Sequence, residues 1–448
     1  MAVSSAVPDH LARKYYAEAL LTSLNRSIAV KEWAKIRDGE VVTLDRALGV
    51  FDLFIPGGGC GTLDDISNAL DNIATLILAH NVEFDKLSCR AKARAVASYL
   101  RANNLTGITH GREYHLLQHN FLGIALMDPD HNSLPLISAA IYCYVAQKLG
   151  LNAWPCGFPF HVHVIVRPPN GFDVDCNALD ADVEGEPIYM DPFRSDGETE
   201  VASMRNQLNL LGVSAVAASS PFLSESGASE IVLRCSTNIL NSIQRSDRIE
   251  NGYLGTVDVI SAKYAALWSN ILLSDSSRWA ELRHRLPYLM DLFAAEFRSD
   301  VYLIQDYILP IFLNMLEHTS LRETLREMLA DDEIPKQVKN RNSDHVNVRY
   351  RVGQVFRHRR YNYTAVITGW DTECGANELW VMRMGIDHLQ GGRHQGFYNV
   401  LVEDRSVRYV AEENIEPITP HFSDLPLGLL STAGKHFKRW DEVNHMFD

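Results

Sequence analysis

Several things are scarce in this chain, and each scarcity removes a class of protein. Seven cysteines in 448 residues, Cys60, Cys89, Cys143, Cys156, Cys176, Cys235 and Cys374, include no C-x-x-C pair and no histidine at metal-ligand spacing. That argues against a zinc module or a disulfide framework, so reduced, mostly buried thiols are expected, with no metal and no cofactor. Basic residues are also short: 42 Lys and Arg against 56 Asp and Glu leave a net charge of −14. Broad, unspecific nucleic-acid binding rests on clustered Lys and Arg, and this balance opposes it. No apolar run approaches the ~20 residues of a membrane span. The start, MAVSSAVPDHLARKYY, lacks the basic residues and apolar core of a secretory signal. A soluble protein of the cytosol or nucleus is expected. The run Gly57-Gly58-Gly59-Cys60-Gly61 lacks the Gly-Lys-Ser/Thr ending of a phosphate loop and follows a helical pattern, so it reads as a connector.

What remains is ordinary globular composition, 46% hydrophobic and 22% charged, with length for about three domains of ~150 residues. The clearest pattern lies between Arg349 and Ile415. Val352, Val355, Ala365 to Ile367, Trp380 to Met382, Tyr398, Val400, Leu401, Tyr409 and Val410 fall in short β-branched or aromatic runs. Turn chemistry at Tyr361-Asn362, Gly369-Trp370-Asp371 and Gly391-Gly392 separates them, which predicts a small antiparallel sheet curled into a barrel.

The residues Gly353-Gln354-Val355, Arg357-His358-Arg359-Arg360-Tyr361, Gly369-Trp370-Asp371, YNVLVED from Tyr398 to Asp404, and Tyr409 to Asn414 together resemble the YccV-like (HspQ) domain. That family was named for binding hemimethylated DNA. The resemblance implies DNA binding or a role as protein adaptor. In eukaryotes the domain is found chiefly behind a transglutaminase-like region in one F-box protein family.

Upstream, helical spacing runs from Pro8-Asp9 through Leu11, Tyr15, Ala19, Leu20, Leu24 and Ile28 to Trp33, and again over Leu44–Ile55, Leu63–His80, Lys86–Arg101 and Glu113–Met127. Nothing before residue 60 has the Leu-Pro opening of an F-box. Residues 9–56 resemble the segment that follows the F-box in that family, which implies that the module lies upstream or was lost. Asn132 or Ser133 can cap a helix whose first turn holds Pro135 and whose stop is Gly150. Short strands are expected at Ala153–Phe158, His161–Arg167, Phe172–Asp175 and Pro187–Asp191. A helix, then a strand with His, then a strand with Asp is the core order of the papain-like transglutaminase fold. Pro135, Ala146 to Leu151, Phe158-Pro159-Phe160-His161 and Tyr189-Met190-Asp191-Pro192-Phe193 resemble the SirB-type transglutaminase-like family.

That resemblance aligns His161 and Asp191 with the family's His and Asp. Leu134 to Ser138 stand where it has a nucleophilic Cys, so the pair is read as vestigial and the protein as no enzyme. Beyond it, amphipathic helices are expected over Val201–Leu211, Ser229–Gln244, Val257–Leu273, Trp279–Phe297 and Val301–Leu316, the later ones in helix pairs of tetratricopeptide kind, and a connector at Val216–Ser220.

The fold expected is therefore α+β and multidomain: a mostly helical body holding a transglutaminase-like core, followed by a small all-β barrel. The expected divisions are a helical region at 1–110, the core with its helices at 111–330, a linker at 331–347, the barrel at 348–420 and a tail at 421–448. Candidate binding residues are Arg357, His358, Arg359, Arg360, Tyr361 and Trp370. Arg and Tyr on a barrel surface can grip phosphate or an acidic peptide. Within 349–416 the nine arginines are balanced by nine carboxylates, which favours protein over DNA. A solvated edge is the other reading of the arginines, and barrel core that of Trp370. The leading expectation is a recognition protein resembling the substrate-binding part of an F-box ubiquitin-ligase receptor, with protein clients, a Skp-cullin core as partner and no membrane. The alternatives are a DNA binder acting through the barrel, or a thiol hydrolase or transferase with a non-standard nucleophile.

Overall fold

The computed structural model describes residues 8–57, 61–180, 183–210, 221–246, 257–275, 278–335 and 348–448. Most of the expected connectors at 57–59 and 331–347, and all of that at Val216–Ser220, lie outside the described residues. The chain divides into two compact units, one of residues 22–331 and the other of residues 1–21 with 332–448.

In the larger unit the amino-terminal half is helical: α1 (His10–Arg37, its first residues belonging to the smaller unit), α2 (Leu44–Leu53), α3 (Leu63–His80), α4 (Cys89–Ala102), α5 (Leu122–Met127) and α6 (Pro135–Lys148). Helix α3 begins at a capping box, in which Thr62 Oγ1 accepts from the Asp65 amide and Asp65 Oδ2 accepts from the Thr62 amide at 2.7 Å. Helix α1 is pinned by Trp33, fully buried, whose Nε1 donates to the Ala47 carbonyl at 3.0 Å while its ring stacks on Phe54. Helix α6 is apolar all round and sits in the middle of the unit.

Four antiparallel strands follow in the order of the chain: β1 (Asn152–Cys156), β2 (His163–Arg167), β3 (Ile188–Met190) and β4 (Glu198–Thr199). Alternation along β2 sorts its side chains. Val164 and Val166 join the main core with α6, and Ile165 joins a second cluster with Cys156, Phe158 and Tyr189. The remaining helices are α7 (Val201–Leu210), α8 (Ala228–Ser246), α9 (Val259–Leu273), α10 (Trp279–Glu296), the single turn α11 (Val301–Leu303) and α12 (Leu316–Glu333).

Four expectations are corrected here. The helix expected at Val301–Leu316 breaks after α11 into a π turn at Ile304–Ile308 and a 3-10 turn at Leu309–Phe312, because Pro310 has no amide to continue the ladder. Glu113–Met127 is no single helix: a 3-10 turn at Leu117–Asn120 precedes the short α5. Phe172–Asp175 makes one isolated bridge, to Ala178, because Asp173 Oδ1 captures the Asp175 and Asn177 amides and turns the chain. Leu20, Leu24 and Ile28 of α1, placed on the apolar stripe, are about half or more exposed, and the buried side is Ala29, Val30 and Trp33.

The smaller unit contains a five-stranded antiparallel sheet of β5 (Val355–His358), β6 (Thr364–Asp371), β7 (Phe397–Val402), β8 (Val407–Ala411) and β9 (Ile415–Pro417), in the order β8-β7-β6-β5-β9. Only residues 412–414 separate β8 from β9, which lie at opposite edges, so the sheet must curl on itself. No ladder closes β8 to β9 among the described residues, so the barrel is open. Its inner core is Phe356, Ala365, Ile367, Tyr398, Val400 and Val402. The alternate residues Val355, Val366 and Leu401 face outward and are covered by α14 (Leu427–Ala433), Leu11, and the hairpin of β10 (Trp440–Asp441) and β11 (Met446–Phe447). Residues 421–448, read as a tail, are thus largely folded onto the sheet.

Two more expectations change. Trp380, Val381 and Met382 lie in α13 (Glu378–Met384), not a strand, so the unit is not all β. Asn377 starts that helix by accepting from the Trp380 amide, and Gly385 ends it with φ +65°. Gly369-Trp370-Asp371 is no turn: β6 continues through it, with a bulge between Ile367 and Gly369.

Candidate functional site

The first candidate lies at the end of the four-stranded sheet. Strand β2 starts two residues later than expected, because Phe160 takes a left-handed backbone, φ +64°, after Pro159. A bulky residue there is strained, and Phe160 is 86% exposed. His161 follows, buried, with Nε2 2.9 Å from Asp191 Oδ2. Asp191 is the first residue after β3, and its Oδ1 accepts from the Arg194 amide at 3.3 Å. The loop behind it is held where Thr106 Oγ1 donates to the Pro192 carbonyl and Arg101 Nη1 to that of Phe193, each at 2.8 Å. The Phe193 ring then packs edge-on against both His161 and Tyr114. Burial pushes the Asp191 carboxyl up, but the His161 hydrogen bond and the charges of His161, His163 and Arg194 outweigh it and hold the group below its usual range.

His163 belongs to the same group. Its ring lies 4.9 Å from that of His161 and edge-on to Phe158, and its Nδ1 is buried without a hydrogen-bond partner. Burial pushes its pKa well down. The only signal was the spacing His161-x-His163, and the face of β2 could not be settled without Val164 and Ile165 being sorted between two cores.

The nearby nucleophile candidates are otherwise engaged. Ser133 does not cap α6: Leu134 holds that position, and Ser133 Oγ lies buried, 2.7 Å from Ser138 Oγ, which accepts from the Gly107 amide. Pro135 has no amide to cap, which removes one donor that a serine cap would serve. Burial pushes the Cys143 thiol far up, and Cys156 up to about 11 while its Sγ faces the Phe222 carbonyl. Neither is a thiolate near neutral pH.

Beside this sits a cleft of about 610 Å³. Leu134, Pro135 and Leu136 at the start of α6 form one wall, Phe160 and Val162 flanking His161 form another, and Arg234, Asn238, Asn241 and Arg245 of α8 a third. Arg234 donates to the Phe158 carbonyl at 2.8 Å, and Arg245 Nη1 lies against the His115 ring. The cleft therefore joins an aromatic rim to a cationic and amide-bearing wall.

The second candidate is the turn after β5. Arg357, Arg359, Arg360 and Tyr361 are exposed, whereas His358 is buried. His358 Nδ1 accepts from the Arg360 and Tyr361 amides, both at 3.1 Å, so the imidazole is neutral and ties the turn, which Asn362 completes at φ +55°. Burial, then Arg408 and Arg360, pushes its pKa down. Arg359 Nε donates to the Ile415 carbonyl at 3.3 Å, and the Arg360 guanidinium lies 5.4 Å from the Tyr361 ring centre. Among the described residues no carboxylate pairs with Arg357 or Arg360, whereas Arg393 pairs with Glu378 and Asp387, and Arg408 with Asp404. Trp370, half-buried, packs against the inner core.

Two families of known proteins match parts of the chain. Residues 64–237 match the transglutaminase-like superfamily, and residues 348–444 match the family described as hemimethylated DNA-binding protein YccV like. Curated relatives are the F-box only protein 21 of Pongo abelii, 28% identical over 293 residues, and those of Mus musculus and Homo sapiens, each 28% identical over 290. The match takes in 63% of this chain but only 42 to 43% of the relatives' length. No solved structure matches. Among the described residues no helix is long and apolar enough to cross a membrane. The chain thus joins a transglutaminase-like domain at residues 64–237 to a YccV-like domain at residues 348–444.

Proposed function

We propose that this is a non-catalytic recognition protein, comparable to the substrate-binding part of an F-box ubiquitin-ligase receptor. The observation that carries the reading is the state of the groups around His161 and Asp191. The hydrogen-bonded pair and its cleft are present, while Cys143 and Cys156 are buried with raised pKa values and Ser133 and Ser138 bond each other. With these thiols held protonated and the two hydroxyls bonded to each other, the pair is left without an activated nucleophile of the kind acyl transfer uses, while a cleft with an exposed aromatic on its rim suits a peptide segment.

In this reading residues 111–330 form the recognition body, 331–347 the link and 348–420 a second module. Its partners are protein clients and a Skp-cullin core, and its compartment is the cytoplasm or nucleus. The similarity to F-box only protein 21 supports this. Arg357, Arg360 and Tyr361 are the contact set on the second module, since Arg359 and His358 are occupied in holding the turn.

The test is affinity capture from native cells with quantitative mass spectrometry, comparing the chain with R357E/R360E. Recovery of Skp-cullin components and of proteins reduced at least ~5-fold by the variant, about 1 kcal/mol of binding, is expected. Absence of that core contradicts the ligase reading, and an unchanged set removes the two arginines from the site. Their exposure at the end of β5 and in the turn after it also favours a second reading, phosphate contact on DNA. Duplex binding that weakens steeply with salt, and is lost in the same variant, would establish it.

A further inference from the structure

Beyond recognition, the sheet end contains more donor atoms than a vestigial pair requires. His161, His163 and Asp191 each offer one ligand atom, and the three atoms lie within 4.8 Å of one another, all three residues buried. We propose that His161, His163 and Asp191 form a binding site for a divalent transition-metal ion of zinc type.

Three observations converge. The His161–Asp191 bond explains two of the residues, but His163 stands beside them with Nδ1 buried and unpartnered. A buried nitrogen without a partner is costly unless something binds there. The donor set is two imidazoles and one carboxylate, which suits zinc or iron(II) rather than the oxygen-seeking magnesium or calcium. In charge, the Asp191 carboxylate brings an anionic oxygen to this buried place. The facing cation, Arg194, is 4.0 Å from Asp191 Oδ2, but its side chain is 65% exposed and free to swing into solvent. Phe158 and Phe193 brace the two rings from outside. Ligand atoms around a tetrahedral zinc stand about 3.3 Å apart at Zn–N distances of ~2.0 Å, so small ring rotations close the set.

Such an ion would tie the start of β2 to the end of β3 and hold the loop bearing Phe193. The sequence offered only the short His161-x-His163 pair, since the third ligand comes 28 residues after His163 and meets it only through the pairing of β2 with β3.

The test uses the whole chain stripped with chelator. Zinc titrated by calorimetry should bind one ion per chain and raise the melting temperature. H163F, which preserves a ring beside Phe158 and leaves the His161–Asp191 bond intact, should weaken zinc at least ~10-fold with an unchanged circular-dichroism spectrum. Cobalt(II) on the unmodified chain should give visible d–d bands without sulfur charge-transfer absorption. No stoichiometric uptake, equal zinc affinity in H163F, or a thiolate band that places the metal on cysteines would each overturn the proposal. The cobalt spectrum decides even should H163F fail to fold.

Discussion

His358 shows how far a residue's role can lie from its neighbourhood in the sequence. Set between arginines, it reads as part of a charged patch, yet it works as a neutral acceptor for the Arg360 and Tyr361 amides. Its folded pKa lies below the unfolded value of about 6.5, so the unfolded chain binds the extra proton first. Stability from this residue is full above pH 6.5 and declines as the pH falls below it. Urea unfolding of the wild type and H358A at pH 7.5 and 5.5 should show H358A less stable by about 1 kcal/mol at the higher pH, with the gap narrowing at the lower. A constant gap would mean that His358 does not titrate in this range. Tyr398 makes a stronger case. Its hydroxyl accepts from the Arg349 and Tyr350 amides at 3.0 and 3.1 Å and donates to Glu412 at 2.8 Å. Y398F should cost about 1–3 kcal/mol by chemical denaturation, because it strands the Tyr350 amide and leaves the Arg349 amide and Glu412 with only their longer contact to each other, 3.4 Å.

At the scale of elements, helix existence was legible wherever apolar spacing was reinforced by a stop or start signal. Residues 63–80 read correctly from their apolar spacing, and the structure adds the Thr62–Asp65 capping box that starts the helix. Trp380 to Met382 misled because their β-forming side chains lie in a single helical turn set by Asn377 and Gly385, signals outside the run itself. Helix α1 misled in another way: its apolar positions are real, but burial follows Trp33 and the small Ala29 and Val30, which permit close approach. The same helix includes a buried charge. Arg26 forms a fork with Asp300, at 2.6 and 2.9 Å, both side chains almost without exposure. R26M leaves Asp300 uncompensated in the core and should destabilise the larger unit by about 3–5 kcal/mol, measured by denaturant unfolding. A loss below 1 kcal/mol would mean that water reaches Asp300.

For the whole molecule, the order of its parts was readable from local chemistry: the period-2 runs near the carboxyl end, and the succession of helix, histidine strand and aspartate. What could not be read was how distant residues meet. His163 joins His161 and Asp191 only once β2 is sandwiched between two cores, and Ser133 meets Ser138 only because Pro135 lets α6 start without a side-chain cap. Both decide the account of the site, and both depend on tertiary packing rather than on motif. The central claim is that no thiol serves the His161–Asp191 pair. The most direct measurement is the labelling rate of every cysteine by an electrophilic thiol probe in the folded chain, resolved by peptide mass spectrometry. Exposed Cys176 should react first, with Cys143, Cys156 and Cys235 reacting only on unfolding. Labelling of Cys143 or Cys156 far faster than Cys176 would reveal an activated nucleophile and contradict the account.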